Sequence, residues 1–335
     1  MTCNCTNMTN LQSDKYTLTA FYSFTFITGL PANCLALWGL IQLRKSKQNL
    51  PVFLFNLVVS DLLQIMILPF WIHYVIKGHD WTFGKEFCVV SGYIFYVNLY
   101  TSIGFLCAIS IDRYLAIVHP FRFQDLHTPK SAILVSVAVW TFMIVFCWAG
   151  LGSSLYNEPL CFEKYPVTER YAAFKIVTIV IGFIFPCLIL GFTFLKIRNS
   201  IRKSPSLSNK EKLRLTCLFF IILVIFIGIF GPYHILGSYK FTAYFVFQDC
   251  NAKCNHENNL FLSYRICYGL TSLNNILDPL IYIFICDDVQ KQFQECFSFI
   301  PKSRDVLEST NSIHMGNSSN INSGHHVTFQ MTAEK

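Results

Sequence analysis

Seven apolar runs follow one another along this chain, each long enough to cross a bilayer. They cover Thr17–Leu43, Pro51–Lys77, Lys85–Val118, Lys130–Leu151, Tyr171–Lys196, Leu213–Tyr239 and Leu260–Phe284. A helix of about 20 apolar residues spans the hydrocarbon core. Helices satisfy their own backbone polar groups one segment at a time in lipid, whereas a barrel needs short alternating strands, which these runs do not resemble. The pattern predicts an all-α membrane protein, a seven-transmembrane helix bundle. Composition agrees, because only 13% of residues are charged, against roughly 25% in soluble chains. The predicted organisation is an N-terminal segment 1–16, a membrane domain 17–284, a surface helix 285–300 and a disordered cytoplasmic tail 301–335.

Orientation follows from charge. With the N-terminus outside, most of the 26 Lys and Arg residues fall on the inner side, among them Arg44, Lys45, Arg122, Arg198, Arg202 and Lys203. Positive charge concentrates on the cytoplasmic face of membrane proteins. Asn4-Cys5-Thr6 and Asn7-Met8-Thr9 match the N-glycosylation acceptor and place the same end outside. The expected location is the plasma membrane, crossed several times. After the seventh run, Phe293, Phe297 and Ile300 recur at helical spacing. They predict a short amphipathic eighth helix on the inner leaflet. Cys296 on it is a palmitoylation candidate, with an unmodified buried thiol as the alternative. The following tail is rich in Ser, Thr and Asn, which predicts disorder and leaves it open to phosphorylation.

Between Cys88 and Asp112 no residue is charged, and the third run closes on Asp112-Arg113-Tyr114. That run reads as a rod joining an oxidised outer face to a charged inner one. Of the cysteines, Cys34, Cys107, Cys147, Cys187 and Cys217 lie in apolar runs and read as small core residues. Cys3, Cys5, Cys88, Cys161, Cys250 and Cys254 sit in polar segments or at helix ends, where an oxidising compartment favours bridges. Cys250 and Cys254 lack a second ligand pair, so no metal site is expected. No Gly-rich phosphate loop or HExxH is present, and the basic loops read as membrane topology rather than nucleic-acid binding.

Several polar residues interrupt the apolar runs: Asn33, Asp61, Asn274, Asn275 and Asp278-Pro279-Leu280-Ile281-Tyr282. Intramembrane carboxylates are functional candidates by default. Together with Asp112-Arg113-Tyr114, Trp140, Pro186 and Pro232, they resemble the rhodopsin-like G-protein-coupled receptors from Asn33 to about Phe299. The resemblance implies no catalysis, a heterotrimeric G protein as partner, and arrestin and receptor kinases engaging the tail. It implies a Cys88–Cys161 disulfide and a switch made of Asp112, Arg113, Tyr114 and Tyr282. It also implies an inner polar pocket of Asp61, Ser102, Asn274 and Asp278, where family members bind sodium. Two departures stand out: Phe230 where Trp is usual, and Asp278 where Asn is usual. The second brings two carboxylates together, which would hold a cation or share a proton; alternatively, Asp278 serves only as a hydrogen-bonding group. Lys212 stands where rhodopsin has an acidic partner for the arginine, so Arg113 is expected to be held mainly by Asp112.

Finer likeness points to the proton-sensing and lysolipid receptors of the psychosine-receptor group. It rests on Leu68-Pro69-Phe70-Trp71-Ile72-His73-Tyr74, Asp80-Trp81-Thr82-Phe83-Gly84, Cys161-Phe162-Glu163-Lys164-Tyr165-Pro166 and Tyr264-Arg265. The implied agonist is the extracellular proton. Histidine titrates near pH 6.5, and the candidates are His73, His79 and His234 with Glu163, the best being His79 beside Asp80. His256 reads as a solvated loop residue. Met143 and Arg265 replace an acidic residue and a histidine found in some members. Arg265 and Lys175 would instead suit the phosphate of a lysophospholipid or nucleotide. For a second bridge, Cys3 or Cys5 could meet Cys250, Cys254 or Cys267, or Cys250 could pair with Cys254. A membrane enzyme or transporter is the rival class. It lacks clustered catalytic residues and internal repeats, and Leu260–Phe284 offers no Schiff-base lysine.

Overall fold

A computed structural model describes residue 5 and residues 13–42, 49–120, 122–123, 128–151, 156–157, 159–163, 165–205 and 208–285. Asn4, Asn7, Cys3, the eighth helix with Cys296 and the tail lie outside the described residues. So does the side chain of Tyr282, whose backbone is helical.

Seven rods run in sequence. The first four are single helices: α1 (Lys15–Gln42), α2 (Leu50–Ile76), α3 (Lys85–Val118) and α4 (Pro129–Leu151). A two-stranded hairpin follows, β1 (Tyr156–Asn157) and β2 (Leu160–Cys161), antiparallel with Tyr156 opposite Cys161. The fifth rod is α5 (Glu169–Ile179), a π-helical turn over Val180–Ile184, and α6 (Phe185–Lys203). The sixth is α7 (Asn209–Val246), and the seventh is α8 (Cys250–Thr271) followed by α9 (Asn274–Ile285).

The helix ends differ from the sequence reading where polar residues extend an apolar run. The fifth rod continues to Lys203, the sixth covers Asn209–Val246, and the seventh starts at Cys250. Asp249 caps that last start by accepting the Ala252 amide at 2.9 Å. A capping carboxylate sets a helix start wherever the bilayer begins. His256 therefore stands on α8, half-buried against Tyr239 and Phe247, and not in a loop. The seventh rod breaks at Ser272 and Leu273, where Ser272 Oγ donates to the Gly269 carbonyl at 2.7 Å. Side-chain competition for a backbone carbonyl bends a helix at such a point.

Large apolar side chains cover the outside of the bundle; on α4, Leu134, Val137, Phe142, Val145 and Trp148 are exposed. In water such a surface would aggregate, whereas lipid solvates it. Inside, polar side chains tie the rods together. Asn33 donates to the Asn275 carbonyl at 2.7 Å, and Asn275 donates to Gln64 at 3.1 Å. Trp140 on α4 donates to Asn56 on α2 at 3.0 Å. At the outer end, Trp71, Tyr74, Trp81 and Phe95 form an aromatic layer around Cys88 and Cys161. The Trp81 amide donates to the Pro159 carbonyl at 3.0 Å, closing the hairpin over that layer.

Candidate outer charge cluster and inner polar pocket

Two disulfides with both cysteines among the described residues fix the outer face. Cys88 at the start of α3 bonds Cys161 on β2, with Cα atoms 5.7 Å apart. Cys5 bonds Cys254 on α8, with Cα atoms 5.5 Å apart. Of the alternatives left open for the second bridge, the structure has this one. The pairing of Cys250 with Cys254 is excluded because Cys254 is occupied. Cys250 is disulfide-bonded as well, and Cys267 is a free thiol.

These bridges carry two carboxylates to one place. Asp14 precedes α1, its carbonyl accepting the Leu18 amide at 2.9 Å, and Cys5 tethers that segment to α8. Glu163 follows β2, held to α3 through Cys161. Between them stands His79, just past the end of α2, with φ of 66°. Left-handed backbone at a non-glycine residue costs about 1–2 kcal/mol. The surroundings must hold it there, and such strain gathers at functional sites.

The holding groups are explicit. His79 Nε2 lies 2.9 Å from Asp14 Oδ1, and His79 Nδ1 lies 3.0 Å from Glu163 Oε2. Arg265 on α8 completes a ring: its Nε donates to Asp14 Oδ2 at 2.7 Å and its Nη1 meets Glu163 Oε1 at 2.7 Å. All four residues are buried, from 0% exposure for Asp14 to 8% for Arg265. Both imidazole nitrogens face carboxylate oxygens, so both must donate, and only the imidazolium has two N–H groups. The four charges then sum to zero. Without the proton, the cluster keeps a net negative charge in the interior.

The titration of the two groups outside the membrane helices follows. Burial by itself disfavours charged His79, but the Glu163 charge and the hydrogen bonds to Asp14 and Glu163 outweigh it, lifting the imidazole to about 9. Burial likewise disfavours charged Glu163, yet Arg265 and His79 beside it bring the carboxyl down to about 2.

This geometry corrects two expectations. Arg265 is not a free cation for a phosphate, because Asp14 and Glu163 occupy its guanidinium. The partner of His79 is not Asp80 either; the left-handed turn sends His79 inward while Asp80 is exposed. The other candidates lie apart. His73 packs edge-on to Phe83 at 5.1 Å and forms no ion pair among the described residues. His234 lies deep in α7, stacked on Phe183 at 5.3 Å, with Nδ1 donating to the Phe230 carbonyl at 2.8 Å and Nε2 without a partner. Lys175 on α5 donates to Tyr233 Oη at 2.7 Å and sits 4.1 Å above the Tyr96 ring. Asp14 and Cys5 carry the cluster and were missed as its members; the one sequence signal was an acidic residue at the mouth of the first run, close behind a cysteine.

The inner polar pocket is assembled from α2, α3 and α9. Asp61 Oδ1 accepts from Asn98 at 3.2 Å and from Ser102 at 3.5 Å, while Asn274 donates to Asp278 Oδ2 at 2.6 Å. Asn98 was not foreseen, although it stands one helical turn before Ser102 on the same face. Asp61 Oδ2 and Asp278 Oδ1 are buried without a hydrogen-bond partner, and the two carboxylates are near enough to feel each other's charge. Two bare carboxylate oxygens fit a monovalent cation or a shared proton.

At the inner end, Arg113 donates to Asp112 Oδ2 through Nε at 3.1 Å and Nη2 at 2.6 Å. Asn49 donates to Asp112 Oδ1 at 3.0 Å. Tyr114 Oη lies 3.0 Å from His119 Nε2. Lys212 reaches the Arg202 carbonyl at 3.5 Å and so joins the fifth and sixth rods instead of meeting Arg113.

A family model described as the 7 transmembrane receptor (rhodopsin family) matches residues 32–282. The chain is 34% identical over 293 residues to G-protein coupled receptor 68 of Homo sapiens, covering 84% of this chain and 78% of that protein. It is 32% identical over 286 residues to G-protein coupled receptor 65 of Homo sapiens, covering 82% and 84%. It is also 34% identical over 272 residues to the uracil nucleotide/cysteinyl leukotriene receptor of Homo sapiens, covering 80% and 73%.

Proposed function

This chain belongs to the rhodopsin family of seven-transmembrane receptors, and we propose that extracellular protons activate it by closing the outer charge cluster around His79. It is a multi-pass plasma-membrane receptor that couples to heterotrimeric G proteins, and its relatives are receptors, not enzymes. One observation carries the proton reading: both nitrogens of His79 face carboxylates in a buried ring whose charges balance only when the imidazole is protonated.

The sign follows from linkage. His79 stands at about 9 in the closed cluster, against an ordinary value of 6.5. Its stabilisation of the closed state is fully present below about pH 6.5 and is lost as pH rises through about 9. If His79 has its ordinary value when the cluster is open, the full effect is about 3 kcal/mol. Between about pH 7.4 and about pH 6, the closed-to-open ratio then rises about sevenfold. The ligand is a proton and the response a population shift, since the proton binds the closed state more tightly. Glu163 lies outside this window: its depressed value makes its contribution present above about 4.5 and lost only as pH falls through about 2.

The closed cluster ties four parts of the outer face together: the segment before α1, the end of α2, the segment after β2, and α8. Because α8 continues into α9, which carries Asp278 and Asn274, a shift at Arg265 is passed along one rod toward the inner pocket. The test is second-messenger output in transfected cells, titrated from about pH 8 to about pH 6 without added lipid. Output should rise on acidification; a flat curve refutes proton activation.

The inner carboxylates extend the reading. Asp61 and Asp278 hold a sodium ion or a single proton between them, supported by their two bare oxygens. Asp278→Asn removes one charge and is expected to alter the dependence of signalling on sodium concentration. An unchanged sodium dependence would remove the shared site.

A further inference from the structure

The third, fourth and fifth rods enclose a cavity of about 430 Å3. Its walls include Tyr100 and Gly104 on α3, Phe142 and Phe146 on α4, and Val180 and Gly182 in the π-helical turn. Phe142 and Val180 are exposed, so the cavity opens to lipid. None of the four residues of the outer charge cluster reaches it. Among the described residues, no charged side chain lines it at all. The rings of Phe142 and Phe146 stack within 9° of parallel with centroids 5.8 Å apart, which makes one wall flat.

One polar atom in these walls is unused. Tyr100 is 1% exposed, and its hydroxyl has no hydrogen-bond partner among the described residues. A buried tyrosine hydroxyl ordinarily finds one. The neighbouring hydroxyls are engaged elsewhere: Thr178 donates to the Lys175 carbonyl at 2.7 Å, and Tyr233 accepts from Lys175 Nζ at 2.7 Å. Gly182 pins the Tyr100 ring. A β-carbon at position 182 would lie 2.6 Å from Tyr100 Cε1, so glycine is what lets the wide turn close on that ring. Single π-helical turns gather at functional sites. Tyr100 stands near the middle of α3, about 22 Å from Lys85, out of reach of lipid headgroups.

Water is a poor occupant, because a buried water needs two or more polar partners and these walls offer one bare atom. An acyl chain suits the apolar walls but leaves the Tyr100 hydroxyl unpaired. The geometry points to a binding site for a neutral, steroid-sized ketone that enters from the lipid, its carbonyl accepting from Tyr100 and its rings lying against Phe142 and Phe146. Neutrality follows from the uncharged walls, since a buried charge needs a counterion. A carbonyl fits better than a hydroxyl because it only accepts: one donor satisfies it, whereas a ligand hydroxyl brings a proton that needs a second partner. The size follows from the volume and from the span of Tyr100 to Cys107, about 10 Å along α3. An apolar cavity between helices with one placed polar group is the usual form of a small-molecule site. Tyr100 also meets His234 on α7, ring to ring at 6.3 Å, so an occupant bears on the contact between the third and sixth rods. The inference rests on Tyr100 and this cavity and not on proton activation, so either can fail alone.

The test uses the purified full chain in phosphatidylcholine nanodiscs and measures binding of tritiated androstanone, a saturated steroid monoketone, against protein-free nanodiscs. Unlabelled androstanone and androstane, the same ring system without oxygen, compete for the label. Binding should saturate, and androstane should compete about fivefold more weakly than the ketone. Tyr100→Phe should weaken ketone binding by about the same factor and erase the difference between the two competitors. Val180→Trp, at an exposed position on the cavity wall, should fill the opening and weaken both. No saturable binding to the wild-type protein overturns the site, whether or not any variant folds. So does equal competition by androstane in the wild-type protein, or undiminished ketone binding in a folded Tyr100→Phe or Val180→Trp protein. The acid response, measured on the same variants in cells, reports separately on His79.

Discussion

His79→Phe should abolish the acid response between about pH 8 and about pH 6. Phenylalanine keeps an aromatic ring near Tyr74 and Phe261, which His79 meets at 5.1 and 6.0 Å. It loses both N–H groups, leaving Asp14 and Glu163 to share Arg265 alone. The cluster then carries a net negative charge at every pH in the window, and the linkage to His79 disappears. The left-handed backbone at position 79 tolerates Phe less well than His, so surface expression must be measured alongside. A second variant guards against a folding artefact. His79→Lys places a cation between the same carboxylates that stays charged throughout the range. It should give output that is high at alkaline pH and nearly flat. If His79→Phe keeps the wild-type midpoint, or His79→Lys stays fully acid-dependent, His79 is not the sensor.

The second large effect lies on the carboxylates. Glu163→Gln removes the charge that contributes most to holding the proton on His79. The response midpoint should move to lower pH by about one unit or more. Asp14→Asn removes one hydrogen-bonded carboxylate from Nε2 and should move it in the same direction by less. Both signs are fixed by charge: with either acid neutralised, protonating His79 leaves the buried cluster with a net positive charge. Glu163 is ionised throughout this range, so the substitution tests its field rather than its titration. A midpoint displaced upward in either variant contradicts the mechanism.

The bundle was legible because lipid solvation forces long apolar runs, and these survive in one dimension. Its polar extensions were not. The first turns of α8 are mostly hydrophilic, and their helicity depends on the Asp249 cap and on packing against Tyr239 and Phe247. The outer site was half legible. His79 and Glu163 were singled out together as proton-sensing candidates, but Arg265 was set apart as a cation for phosphate, and Asp14 was not named. Their union depends on tertiary facts: the Cys5–Cys254 bridge that brings Asp14 in, and the φ of 66° that parts His79 from its neighbour Asp80. Adjacency in sequence misled because a left-handed residue points consecutive side chains apart.

Burial of the four charged side chains has a consequence for the fluids in which such a receptor can work. Mobile ions damp the attraction between exposed charges over about 10 Å at 0.1 M, but they act far less on pairs withdrawn from solvent. Asp14, His79, Glu163 and Arg265 are at most 8% exposed. Their mutual attraction is therefore nearly independent of ionic strength, and dilute and saline surroundings of equal acidity are read alike. The sodium dependence proposed above is therefore assigned to the carboxylates of Asp61 and Asp278 and not to this cluster. On the sodium reading proposed above, salinity would act at Asp278 and acidity at Arg265, two separate levels of the seventh rod.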